Sequence, residues 1–291
     1  MNNSVTDYRR TLIRLSKVLE KKHFFIVGLT RPGTIWLQHA INAHPDACCK
    51  GEGHFTNALF PLLGRAYADY NKHMLTDKAR MEAAGISAAN PGRTAAYSND
   101  DVRFLMATAS ALTLDRWAGD DEVSCIGEKT PEHALNLDNL VEVFPDALII
   151  HVIRDGRDEA VSVYDYNMKM NPEGFTEKFG NLATFAESFA GNWTRAVGAA
   201  RYFGRSYGDN YMEIRCEDLY TEASPDVERM CRFLGLEDDS ETVSQCVEAG
   251  RRIAFPDGII GQWKDRFDAE TNTAFTRQAG ELLKLLEYTL S

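Results

Sequence analysis

The chain has 291 residues, with 43 acidic against 32 basic side chains (formal net charge −11), 44% hydrophobic and 26% charged content. That composition suits a soluble globular protein with a full core, either one large α/β domain or a domain with an inserted lobe, and the acidic balance argues against a nucleic-acid-binding surface. No stretch approaches roughly 18 apolar residues, no apolar leader opens the chain, and the six cysteines include no C-x-x-C pair, so a cytoplasmic protein with reduced thiols and no membrane span is expected.

Residues 7–22 set Tyr8, Leu12, Ile13, Leu15 and Leu19 among many charges. This is the pattern of a short amphipathic helix packed on the main domain or, alternatively, lying on a membrane surface. Phe24-Phe25-Ile26-Val27-Gly28 follows, an apolar run with the profile of a strand buried on both faces. It turns through Leu29-Thr30-Arg31-Pro32-Gly33 into a segment where Trp36, Leu37, Ala40 and Ile41 recur at helical spacing. Strand, glycine turn and helix make an anion cradle, because unpaired N–H groups and the positive end of the helix dipole converge in the turn. Gly28 and Gly33 have P-loop spacing, but Thr34 stands where that loop carries lysine and the cation is Arg31. A kinase using a magnesium nucleotide therefore fits poorly.

Residues 47–50 read as a short strand running into Gly51-Glu52-Gly53-His54-Phe55. That loop is either a carboxylate and an imidazole presented beside the anion turn, or a solvated turn. Residues 56–120 read as helical, with breaks at Gly64, Gly85 and Asn90-Pro91-Gly92. They are expected to form a lobe or lid whose Phe60, Tyr67, Tyr70 and Phe104 either shape an acceptor pocket or fill core. A third strand at 123–126 ends in Gly127-Glu128-Lys129-Thr130-Pro131. Thr130-Pro131 predicts a helix start, hydroxyl capping and proline first, over about 132–143. Residues 147–153 are the clearest buried strand. They lead through Arg154-Asp155-Gly156-Arg157-Asp158 into a helix containing Ser162, with Arg157 and Asp158 expected to pair. The helix at 182–203 lines up Phe185, Phe189, Trp193 and Val197 on one core stripe, 211–215 is a fifth strand, and 225–235 and 275–290 are amphipathic helices. Five strands separated by helices point to an α/β fold with a central parallel sheet flanked by helices on both faces.

Taken in this order, the elements resemble the sulfotransferases that use 3′-phosphoadenosine 5′-phosphosulfate (PAPS), over about residues 24–267. The family's 5′-phosphosulfate loop, usually Lys/Arg-Ser-Gly-Thr-Thr-Trp, reads here Arg31-Pro32-Gly33-Thr34-Ile35-Trp36. The resemblance implies the P-loop-like sulfotransferase fold, with an N-terminal helix (1–22), a single domain (23–291) and a helical acceptor-side lid at about 56–120. It implies in-line transfer of a sulfuryl group from PAPS to a hydroxyl of a small metabolite or sugar, with PAP as product and no metal. Backbone N–H groups across 32–35 and Thr34 would hold the 5′-phosphate, Arg154 and Ser162 the 3′-phosphate, and Trp36 the adenine. Arg31 and Lys129 would neutralise the leaving oxygen. Glu52 would be the general base, as in a Gly-Glu element of glycan, tyrosyl-protein and many bacterial members, with His54 as acceptor contact or support and Glu128 as runner-up base. Gly258-Ile259-Ile260-Gly261-Gln262-Trp263-Lys264 resembles the family segment that closes over the cofactor, Trp263 being its packing anchor. Pro256-Asp257 stand where one branch has Arg-Lys, so Arg251 or Arg252 would substitute, and Cys216 replaces a tyrosine near the adenine. A nucleotide kinase and a non-catalytic PAPS- or phosphate-binding module are the rival readings. The acceptor and the oligomeric state stay open, a homodimer included.

Overall fold

The computed structural model describes residues 8–86, 96–119, 121–253 and 260–290. The chain runs α1 (Tyr8–Glu20), β1 (Lys22–Val27), α2 (Thr34–Asn42) and β2 (Ala47–Cys49), then a π turn (Phe55–Leu59), α3 (Phe60–Ala83), α4 (Asn99–Ala118) and β3 (Cys125–Lys129). A 3-10 turn (Pro131–Leu135) precedes α5 (Leu137–Val143), β4 (Leu148–Ile153), α6 (Gly156–Met170), α7 (Pro172–Phe179), α8 (Leu182–Tyr207) and β5 (Tyr211–Arg215). The last elements are α9 (Cys216–Thr221), α10 (Ala223–Leu234), α11 (Ser240–Arg251), α12 (Trp263–Arg266) and α13 (Ala269–Leu285).

All strand pairs are parallel and the order is β2-β3-β1-β4-β5. This is the helix-flanked parallel sheet that the sequence predicts. From central β1 the chain goes to one side for β2 and β3, then crosses to β4 and β5. The turn after β1 therefore sits where the strand order reverses, the place where such sheets leave a crevice at the strands' carboxyl ends.

Side chains alternate along a strand, so β1 feeds two cores. Phe24 and Ile26 join Trp36 and Leu37 of α2 and Val227, Leu234 and Val243 of α10 and α11. Phe25 and Val27 join Phe55, Leu140 and Phe144 on the other face. Burial on both faces explains why β1 and β4 read as near-continuous apolar runs, interrupted in β4 by the buried His151. Phe185, Phe189, Trp193 and Val197 of α8 pack against Phe275 and Leu283 of α13, and Leu15 and Val18 of α1 pack with Ala111 and Leu114 of α4. None of the described helices is long and apolar enough to cross a membrane.

Several boundaries differ from expectation. β3 covers Cys125–Lys129 rather than 123–126, because Glu128 accepts the Gly53 N–H and Lys129 pairs with Glu52, which lets charged residues end a strand. Gly64 does not interrupt α3; the space around it is open enough that an added Cβ would meet only Met106 Cε, at 3.5 Å. Gly85 does follow the end of that helix, with φ +70°. Asn90-Pro91-Gly92 lie outside the described residues. The helix expected over 132–143 divides at Asn136 into the 3-10 turn and α5. The final helix starts and stops earlier than 275–290.

A candidate anion cradle beside a carboxylate–lysine pair

β1 hands the chain to Gly28, where a Cβ would lie 2.6 Å from Pro32 Cγ and 2.8 Å from the Val152 carbonyl oxygen. Only glycine lets the loop fold back this closely. Gly33 has φ +96° and a Cβ there would meet Cys216 Sγ at 2.5 Å. Arg31 is also left-handed, φ 63°, a conformation that costs a non-glycine residue about 1–2 kcal/mol and collects at ligand sites. The first N–H groups of α2 have no intrahelical acceptor, and no side chain caps the helix. Pro32 carries no N–H and drops out of the donors expected across 32–35. Gly33, Thr34 and Ile35 remain, at the positive end of the dipole.

Three expected cofactor residues converge on this turn. Arg31 Nε donates to Ser162 Oγ (2.9 Å), and Arg154 Nη1 donates to the Arg31 carbonyl (3.3 Å). The Arg31 guanidinium also lies 5.1 Å from the Tyr166 ring centre. Loop, β4 end and α6 thus put two cations and a hydroxyl together. Arg157 does not pair with Asp158 as expected, since adjacent helical residues do not face each other. It is gripped by Asp155, which caps α6 and accepts from Arg157 Nε (3.0 Å) and Nη2 (2.7 Å). Asp158 instead accepts the N–H groups of Gly261 (2.7 Å) and Trp263 (2.9 Å), and so holds the segment at 261–263 against α6. Burial pushes the Asp158 carboxyl up to about 6, opposed by those two N–H groups. Burial likewise holds fully enclosed Glu159 well above the usual carboxylate range, with the Arg154 guanidinium acting the other way. Trp263 is buried with the Arg157 guanidinium 3.7 Å over its ring, the packing anchor expected of it.

On the other side of β1, Lys129 at the end of β3 forms an ion pair with Glu52; 5% of the lysine side chain and 41% of the glutamate side chain are exposed. His54 Nε2 lies 3.5 Å from Glu52 Oε2, and His54 is left-handed, φ 47°. The Lys129 N–H (3.4 Å) and Gln38 Nε2 (3.3 Å) both donate to the Gly51 carbonyl. Glu52, His54 and Lys129 are thereby brought together and tied to α2, whose N-terminus forms the cradle.

Behind this pair lies a group that the sequence did not assemble. Glu128 is fully buried and accepts from Gly53 N–H (2.8 Å) and Thr130 Oγ1 (2.7 Å). Thr130 therefore serves this network, accepting from His54 N–H (3.2 Å), and makes no helix cap. His133 Nε2 approaches Glu128 Oε1 to 2.5 Å, outside hydrogen-bond alignment, and His133 Nδ1 bonds Thr56 Oγ1 (2.7 Å). Enclosure removes Glu128 from contact with an acceptor, contrary to a runner-up base. His133 and Thr56 gave no signal, because their partners are far away in sequence.

Ile35 projects outward, half exposed. Trp36 is 1% exposed and packs so closely that a Cβ on Gly250 would come within 2.6 Å of its ring; the core covers the indole, which contradicts adenine stacking. Arg252 follows the last residue of α11 and pairs with Glu248 one turn back, 2.9 Å. Gly258 lies outside the described residues.

Comparison with known proteins agrees with the fold. The family model described as "Sulfotransferase family" matches residues 23–240. Human Sulfotransferase 4A1 is 24% identical over 147 residues, covering 45% of this chain and 50% of that protein. A sulfotransferase from Alicyclobacillus acidocaldarius shares the fold with TM-score 0.54 at 17% identity, over 92% of this chain and 97% of that one. Mouse sulfotransferase SULT7A1, solved in complex with PAP, gives TM-score 0.55 at 16% identity over 95% and 93%. The chain spans about half the length of the curated relatives it matches.

Proposed function

The chain belongs to the sulfotransferase family, and from that premise we propose that it moves a sulfuryl group from PAPS to a hydroxyl of a small-molecule or carbohydrate acceptor, releasing PAP. The observation that carries this reading is the meeting of Arg31, Arg154 and Ser162 beside the uncapped start of α2. Two anion sites at one turn suit a ligand with separate 5′ and 3′ phosphates. Lysine is absent from the P-loop position, which disfavours the kinase alternative.

PAPS supplies the sulfuryl group and the leaving phosphate. The N–H groups of Gly33, Thr34 and Ile35 hold the 5′-phosphate, while Arg154 offers a planar fork and Ser162 a hydroxyl to the 3′-phosphate. Glu52 takes the acceptor's proton, since it is the half-exposed carboxylate at the strand ends and can reach a ligand from the loop. Lys129 holds that carboxylate now and turns to charge growing on the leaving oxygen; Arg31 does the same from the cradle. As in phosphoryl transfer, positioning and charge stabilisation carry the chemistry rather than a covalent intermediate. The α3 and α4 region forms the acceptor side of a single domain. All six cysteines are free and buried, which supports a reducing, cytoplasmic setting.

The test is turnover of radiolabelled PAPS over a panel of neutral sugars, phenols and heparan-like chains, with Glu52→Gln alongside. Transfer to a neutral acceptor, lost by a factor of about 100 or more in Glu52→Gln with PAP affinity kept, supports the reading. Preference for polyanionic chains, or full turnover in the variant, overturns the acceptor class or the base respectively.

A further inference from the structure

The 52–56 segment is tied at both ends to a cluster of buried side chains, Glu128, Thr130 and His133. Gly53 N–H and His54 N–H bind Glu128 Oε2 and Thr130 Oγ1, at 2.8 and 3.2 Å. The Thr130 hydroxyl donates to the same Glu128 oxygen at 2.7 Å. The other Glu128 oxygen faces His133 at 2.5 Å, and His133 returns to Thr56 at 2.7 Å. Phe55 stacks on the His133 ring at 6.1 Å and Phe25 meets it edge-on, also at 6.1 Å, so the imidazole cannot swing away.

Enclosing a carboxyl and an imidazole is expensive unless they are paired and hydrogen-bonded. A solvated turn needs no such support. What the cluster fixes is the peptide that carries Glu52 and the left-handed His54, a backbone conformation that persists only where its surroundings over-determine it. Glu128 and Lys129 are consecutive: one grips the Gly53 amide and the next the Glu52 carboxylate.

We propose that Glu128 and His133 are positioning residues, which act by locking the 52–56 loop so that Glu52 and His54 face the acceptor side of the anion cradle. This rests on the reading of Glu52 as base. It differs from a catalytic Glu128 in one respect: the cluster needs a hydrogen-bond acceptor for the Gly53 amide, and not a proton carrier. Glutamine supplies that acceptor, with its amide group turned to His133, whereas alanine supplies nothing.

The experiment compares wild type with Glu128→Gln, Glu128→Ala and the isosteric Thr130→Val in the full chain. Hydrogen–deuterium exchange is followed over peptides covering 50–58 and, as internal reference, 24–29 and 148–153. Transfer from PAPS to p-nitrophenol and PAP affinity are measured in parallel. Glu128→Gln should keep exchange at 50–58 and the transfer rate within about threefold of wild type. Glu128→Ala should speed exchange at 50–58 and slow transfer by about tenfold or more, the scale on which misplaced catalytic groups lose rate, with reference peptides and PAP affinity unchanged. Thr130→Val should fall between them, and judges the cluster if the alanine variant does not fold. The proposal fails if alanine or valine leaves exchange at 50–58 as in wild type. It fails equally if Glu128→Gln abolishes transfer with its loop still protected, since Glu128 would then do chemistry. Full activity in Glu52→Gln would overturn the base assignment alone, because loop exchange still reports on the cluster.

Discussion

Replacing Asp158 by asparagine should change how stability depends on pH, and the size follows from its burial. Asp158 is about 1% exposed, and burial raises its pKa from the ordinary 3.8 to about 6, with the Asp155 charge adding to the rise and the Arg154 guanidinium opposing it. The folded protein therefore binds this proton more tightly than the unfolded chain does. Between 3.8 and about 6 the folded state is protonated while the unfolded state is not, so this group makes stability fall as pH rises. At about 1.4 kcal/mol for each pH unit, that interval amounts to about 3 kcal/mol, fully lost above pH 6. What the protein gains is an ionised carboxylate holding the Gly261 and Trp263 N–H groups. Urea unfolding of wild type and Asp158→Asn at pH 4 and pH 7.5 isolates the effect, because the other titrating groups are common to both. The stability of wild type relative to the variant should drop by about 2–3 kcal/mol between the two pH values. Parallel pH curves would refute the reasoning.

Two other predictions concern the cradle and the thiols. Gly33→Ala forces a Cβ into a left-handed residue and against Cys216 Sγ, 2.5 Å away, and should cost about 2–4 kcal/mol by urea unfolding. In a Cys216→Ala background only the backbone strain, about 1–2 kcal/mol, should remain; an undiminished penalty would show that the contact does not matter. Burial raises the thiol pKa of Cys49, Cys125 and Cys216, so a thiol reagent should label none of these three quickly until denaturant is added. Rapid labelling of native protein would contradict their enclosure.

What the sequence revealed depended on how local the cause was. The apolar runs of β1 and β4, the glycine turn and the α8 stripe are set by neighbours a few residues apart, and each lies where the pattern put it. The end of β3 was not legible: Glu128 and Lys129 read as loop because their partners sit more than 70 residues away. His133 and Thr56, 77 residues apart, were invisible for the same reason. Trp36 was misread because a family pattern carries no information on the local neighbour, here Gly250, whose missing side chain lets α11 close over the indole. Arg31, Arg154 and Ser162 were legible as motif residues, and the structure adds their direct contacts.

The proposed reaction requires this turn to bind a nucleotide carrying a 3′-phosphate. Calorimetric titration with adenosine 3′,5′-bisphosphate, and separately with ATP and Mg²⁺, tests it directly. Micromolar binding of the bisphosphate is expected, weakened about 100-fold in Arg154→Ala, since the proposed bidentate, charge-assisted contact would contribute about 3 kcal/mol. Binding of ATP with Mg²⁺ and none of the bisphosphate would contradict it.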